Sequence, residues 1–217
     1  MTRNLKVLTL AMLVLGGLGA VSAGGAQAAV QEFHCTSAST ATCLVTGSSA
    51  AAKITLPGGA VVACTAEYRA TIAKTTATAT MEATYAKCKT AGVKTEVKMN
   101  GCDYTLTSVS PLEMTTTVTI NCPEGRVIEL VDPAIPCTIT IGPQGPRTHI
   151  VFTNEGALEP TDLTAHVTVG GVAIFGHDAT CPNGGGAGVA EFDDTVTLRG
   201  FEDEPTGEGP QVGLHVF

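Results

Sequence analysis

Eight cysteines, all lying beyond an N-terminal leader, constrain this chain more than anything else in its sequence. Arg3 and Lys6 form a short positive n-region, and Val7 to Val21 is a dominantly apolar stretch. Ala26-Gln27-Ala28 then offers small residues at both positions read by a signal peptidase. The expectation is a cleavable signal peptide over residues 1–28 and a secreted domain over residues 29–217. The apolar stretch is about 15 residues, short of the roughly 20 that a spanning helix needs, and Gly16, Gly17 and Gly19 weaken it as an anchor. No second stretch approaches that length, so no membrane span is expected after cleavage. The expected location is extracellular or at the cell envelope.

Outside the cytoplasm thiols are oxidised, and an even number of cysteines reads as a disulfide framework. Zinc is the competing use and needs close CxxC-type pairs, whereas the nearest pair here is Cys35 and Cys43. The expected pairing is sequential: Cys35–Cys43, Cys64–Cys88, Cys102–Cys122 and Cys137–Cys181. Cys102–Cys122 has the best argument, because residues 102–109 and 113–122 read as two strands around Pro111 whose outer ends meet. Each bridge contributes about 2–4 kcal/mol, mainly by restricting the unfolded chain.

The residues between the cysteines alternate. Tyr104 and Leu106 alternate with Thr105 and Thr107, Val118 and Ile120 with Thr117 and Thr119, and Ile139 and Ile141 with Thr138 and Thr140. Val196 and Leu198 continue the pattern, and Val212, Leu214 and Val216 close the chain in it. Period two with β-branched residues means half-buried strands, apolar side chains inward and threonine outward. Turn chemistry separates the runs, as at Pro57-Gly58-Gly59, Asn100-Gly101, Pro123-Glu124-Gly125, Gly142-Pro143-Gln144-Gly145 and Pro182-Asn183-Gly184. The Ala-rich segment from Thr71 to Tyr85 alternates with threonine and reads as one strand, placed at an edge. About ten to twelve short strands at this spacing imply an all-β fold, an antiparallel β-sandwich stapled by disulfides. A sub-boundary falls near residues 98–101, with one continuous domain favoured.

Charge narrows the partners. The chain carries −8 at neutral pH, and loss of Arg3 and Lys6 takes it to −10. An acidic chain without a basic run is a poor ligand for nucleic acid or anionic membrane surfaces. There is no tryptophan and only Tyr68, Tyr85 and Tyr104, which argues against a sugar-stacking surface.

Three candidate chemistries remain. Asp193 and Asp194 precede a strand, and Glu202, Asp203, Glu204 and Glu208 follow it; clustered carboxylates on a loop suit Ca²⁺, although the spacing matches no EF-hand. The competing reading is a solvated hairpin tip that keeps an edge soluble. The histidines, His34, His149, His166, His177 and His215, are scattered. His177-Asp178 could supply a general base, but neighbours on a strand point to opposite faces. No serine lies in a G-x-S-x-G or S-x-x-K context, and Gly184-Gly185-Gly186-Ala187-Gly188 lacks the ending of a phosphate loop.

The stretches VVACTAEYRATIA, TYAKC, NGCDYTLTS, TINCPEGRVIEL and CTITIGPQG, with TVTLRGFED and QVGLHVF, resemble a group of secreted, Thr-rich, disulfide-containing β proteins of high-GC Gram-positive bacteria. The resemblance spans roughly residues 60–217 and leaves Cys35 and Cys43 outside it. It implies an exported, disulfide-bonded β protein and brings no catalytic residues. The functional expectation is a non-enzymatic β protein acting by surface interaction, with a protein or an envelope polymer as partner. A Ca²⁺ or small-ligand-binding module is the first alternative, and a secreted hydrolase the second.

Overall fold

The computed structural model describes residues 32–37, 39–110, 115–155, 162–204 and 207–217, so the signal peptide expected over residues 1–28 lies outside the described residues. Alternation turns into strands almost throughout. In chain order these are β1 (Phe33–Cys35), β2 (Thr42–Thr55), β3 (Val61–Ala73), β4 (Thr75–Thr76), β5 (Thr78–Thr90), β6 (Val93–Lys94), β7 (Glu96–Lys98) and β8 (Asp103–Ser110). There follow β9 (Thr115–Asn121), β10 (Ile128–Asp132), β11 (Cys137–Ile141), β12 (Gln144–Glu155), β13 (Asp162–Gly176), β14 (Gly186–Glu204), β15 (Gly207–Val212) and β16 (Leu214–Val216). The strands beyond the ten to twelve expected are pieces of two or three residues (β1, β4, β6, β7, β16), too short to show a period.

All pairings are antiparallel, and the long strands pair in the order β14-β2-β3-β5-β8-β9-β12-β13. β13 also pairs with β14 along Leu163–Gly176 and Gly186–Leu198, which joins the two ends of that order. The fold is therefore all-β, antiparallel and disulfide-stapled. Its opposed halves face one another across a single core, and hydrogen bonding joins them edge to edge. Closure leaves no free edge around the ring, the surest protection against edge-to-edge aggregation. β5 pairs with β8, so the segments on either side of residues 98–101 share this sheet.

Period two sorts the side chains. In β3, Val62, Cys64, Ala66, Tyr68, Ala70 and Ile72 are buried, and most of the residues between them are exposed. Phe152, Leu163 and Val62 are almost wholly buried, each stabilising the fold by about 1.5–3 kcal/mol relative to exposure. β1, β16 and β4 form a separate small sheet that plugs one end. Phe33 and Leu214 there line one small apolar space together with residues of β2, β3, β5, β8, β13 and β14. Phe33 also sets its ring edge-on to Phe152, with centroids 5.3 Å apart.

The segment from Thr71 to Tyr85 departs from expectation. A turn at Lys74 splits it, because the Lys74 backbone is taken up by Cys35 and Ala41. β5 is not an edge strand: it pairs with β3 on one side and with β8 and β6 on the other. Nothing in an Ala-Thr alternation marks a bend imposed by a distant strand. The four disulfides are Cys35–Cys43, Cys64–Cys88, Cys102–Cys122 and Cys137–Cys181. Cys102–Cys122 closes the open end of the β8–β9 hairpin beside the Asp103–Asn121 pair.

Candidate binding site in the sheet interior

The carboxylates singled out in the sequence fall in two places, Asp193 and Asp194 within β14 and the others at the β14–β15 hairpin. Asp193 and Asp194 are neighbours on β14 and face opposite ways, Asp193 exposed and Asp194 buried. Glu202 lies nine positions further along the same strand than Asp193, about 30 Å at the usual rise, and accepts hydrogen bonds from Ser37 and Ser39. The backbones of Asp203, Glu204 and Glu208 belong to the β14–β15 hairpin, and their side chains lie outside the described residues. Among the described residues no three His, Cys, Asp or Glu side chains converge as a metal site. The histidines are scattered. His177 contacts Thr140, His166 contacts Thr195, His34 lies 3.7 Å from Glu32, and His215 stacks on Phe217. The His149 side chain lies outside the described residues.

The interior of the closed sheet is different. It encloses a cavity of about 90 Å³ lined by residues from every strand of the ring, among them Ile54, Met81, Leu106, Val118, Ala165 and Ala190. Voids much larger than a water molecule are few in folded domains, so an apolar space of this size is a feature to be explained.

All three tyrosines of the chain line this cavity. Tyr68 and Tyr85 meet edge-on with centroids 6.4 Å apart, and Phe192 continues the cluster at 6.3 Å from Tyr85. The Tyr85 and Tyr104 hydroxyls lie 3.2 Å apart. Burial pushes each phenol's pKa upward, that of Tyr104 to about 12. At Tyr68 the Asp194 charge adds to burial, and at Tyr85 the neighbouring Tyr104 does. The rings face inward as apolar walls, so none of them offers an outer stacking platform.

No family model, curated protein or solved structure matches this chain.

One charged group stands in the wall of this interior. Asp194 is only 3% exposed. It accepts hydrogen bonds from the Ser49 hydroxyl, from the Tyr68 hydroxyl at 2.7 Å and from the Thr195 backbone N–H at 2.8 Å. It sits beside an irregular stretch of β2: the β14–β2 register shifts between Asp193 and Thr197, and the β2–β3 register between Ser49 and Ala52, while the β13 side is regular here. The carboxylate thus satisfies groups that an interrupted ladder leaves free. Its acceptor capacity is committed within the protein, which makes it a poor calcium ligand as it stands.

The wall also has a seam. β13 pairs with β12 as far as Val167 and with β11 from Phe175. Between those points Gln144 substitutes for a strand: its side chain bonds both backbone groups of Ala173, the N–H at 2.9 Å and the C=O at 3.2 Å. At the same height β13 bulges through Gly170 and Gly171 against β14, and Gly171 takes φ +72°, a conformation that favours glycine. Arg147 stands beside the seam. A register shift pairs it with Val118, a buried inward residue, so its stem lines the cavity while the residue as a whole is exposed. Directly opposed residues share a face, and this pairing turns an arginine inward.

Sequence reasoning missed Arg147 and the convergence of the tyrosines. Tyr104 carried a signal, alternating in step with Leu106. Arg147 carried none, because the irregular register that turns it inward is invisible to a period count.

Proposed function

We propose that this protein is an exported, non-enzymatic binding protein that holds a small apolar molecule inside its closed sheet. The observation that carries the reading is the cavity of about 90 Å³, lined almost entirely by apolar side chains, with Arg147 among the residues of its wall. The N-terminal sequence and the four disulfides support export. An engineered cavity of about 150 Å³ takes benzene, so a smaller one suits a group of a few carbons. The buried phenols hold their protons and their hydroxyls are already engaged, which suits walls better than acid–base work.

The test uses neutral probes, benzene and 1-hexanol, on the oxidised protein. With no tryptophan and every tyrosine on the cavity wall, tyrosine fluorescence reports occupancy directly. Binding at a hundredfold excess over Kd stabilises by about 2.7 kcal/mol and raises Tm by several degrees. Saturable change in fluorescence together with that shift is the expected result. Neither change with either probe removes the reading.

A second reading, an envelope or protein contact, draws on Phe175 and Val189, exposed on the outer face of the paired strands β13 and β14.

A further inference from the structure

We infer that the ligand is a short-chain carboxylate, with its tail in the cavity and its carboxylate held by Arg147 at the seam. The inference rests on the cavity reading and adds the chemical class of the ligand.

Three observations lead there. Arg147 is placed on the cavity side of the wall by its register with Val118, and its neighbours along the lining are Ile120, Ile150 and Val167. Its guanidinium has no hydrogen-bond or ion-pair partner among the described residues, whereas Arg199 is paired with Asp162 at 3.1 Å. The remaining lining is apolar except for the three phenols and Glu191. Glu191 lies two strands away on β14, beside the Gly170–Gly171 bulge, about 10 Å across the sheet. Glu191 is exposed, whereas its neighbour Ala190 is buried.

An inward arginine stem that ends in an open guanidinium is a fork for a carboxylate, two N–H groups to two oxygens. The apolar space behind it admits a tail of a few carbons. In a chain of net charge −8 a general attraction for anions is absent, so recognition has to come from this one residue. The tail supplies burial, and the carboxylate sets orientation and selectivity.

Three probes of matched length separate the possibilities: hexanoate, 1-hexanol and hexylamine, each titrated into the oxidised protein with tyrosine fluorescence as readout. Hexanoate is expected to bind about tenfold or more tighter than 1-hexanol, with a preference that weakens as salt is added. Arg147→Gln removes that preference and leaves 1-hexanol affinity unchanged. Arg147→Lys restores part of it. Equal binding of hexanoate and hexanol to the parent, tighter binding of hexylamine, or an unchanged hexanoate preference in Arg147→Gln overturns the inference while leaving the cavity reading intact. Absence of binding by all three overturns both.

Discussion

Removing the Tyr68 hydroxyl tests whether Asp194 is the keystone of the sheet. Tyr68→Phe keeps the ring and its edge contact with Tyr85, so no cavity opens and only the hydrogen bond to Asp194 is lost. A hydrogen bond to a charged acceptor contributes about 1.5–3 kcal/mol. Asp194 is 3% exposed, which puts the expected loss in the upper half of that range. For a domain of this size that corresponds to a fall in Tm of roughly 4–12 °C. Asp194→Asn keeps the shape, removes the charge and forces the Ser49 and Tyr68 hydroxyls to reorient, at a cost of about 1–3 kcal/mol. The double variant is less destabilised than the sum of the two, by about 1.5 kcal/mol, because each change removes the same charge-assisted hydrogen bond. Urea unfolding followed by far-ultraviolet circular dichroism, disulfides intact, measures all three, and the slope m should not change. A loss below about 0.5 kcal/mol for Tyr68→Phe, or an additive cycle, refutes the argument. A stabilised Asp194→Asn refutes it too and identifies Asp194 as a group held at a cost to the fold.

The tyrosine cluster predicts alkaline lability of a definite sign. Tyr68, Tyr85 and Tyr104 all have folded pKa values raised above the ordinary value of about 10, so above that pH the unfolded chain releases protons that the folded chain keeps. The stability they confer is complete below about pH 10 and falls as pH rises through about 12, where Tyr104 ionises, by up to about 1.4 kcal/mol per pH unit for each tyrosine. Phenolate absorbance should stay low in the native protein at pH values where the urea-unfolded protein has titrated, and superimposable titrations would overturn the cluster. Thr116 gives the opposite kind of test: it is 1% exposed and its hydroxyl has no partner among the described residues. Thr116→Val keeps the shape and should stabilise by about 1 kcal/mol in the same urea assay, and clear destabilisation would show that the hydroxyl is bonded.

Strand positions and their faces were legible because period two is written into Thr-Val and Thr-Ile alternation. Residues 102–122 show this: two runs, a proline between them and a cysteine at each outer end make a hairpin readable without coordinates. Closure of the sheet was not legible. It depends on β13 pairing with β12 and β14 at once, and no residue of β13 announces a second partner. The site was largely hidden for a related reason. Asp194 read as one of a group of loop carboxylates, and Arg147 drew no reading at all. Arg147 lies at a register shift, where one extra residue moves a side chain to the other face, whereas Asp194 simply shares parity with the buried Val196 and Leu198. Only Gly170-Gly171 carries a local hint of such a break.

The covalent frame explains how this interior can stay unfilled. A void of about 90 Å³ costs about 2 kcal/mol at the usual penalty per unit of cavity volume. One disulfide contributes about 2–4 kcal/mol, so a single bridge of the four offsets the void. A chain shaped for stability alone has a simpler course. Ala165 and Ala190 both line the cavity, and a valine or leucine at either position would occupy part of it. The sequence instead places alanine there, sets three tyrosines around the same space and turns Arg147 towards its rim. Small residues facing a void, with the stability made up elsewhere by covalent staples, are what an interior built to admit a guest requires.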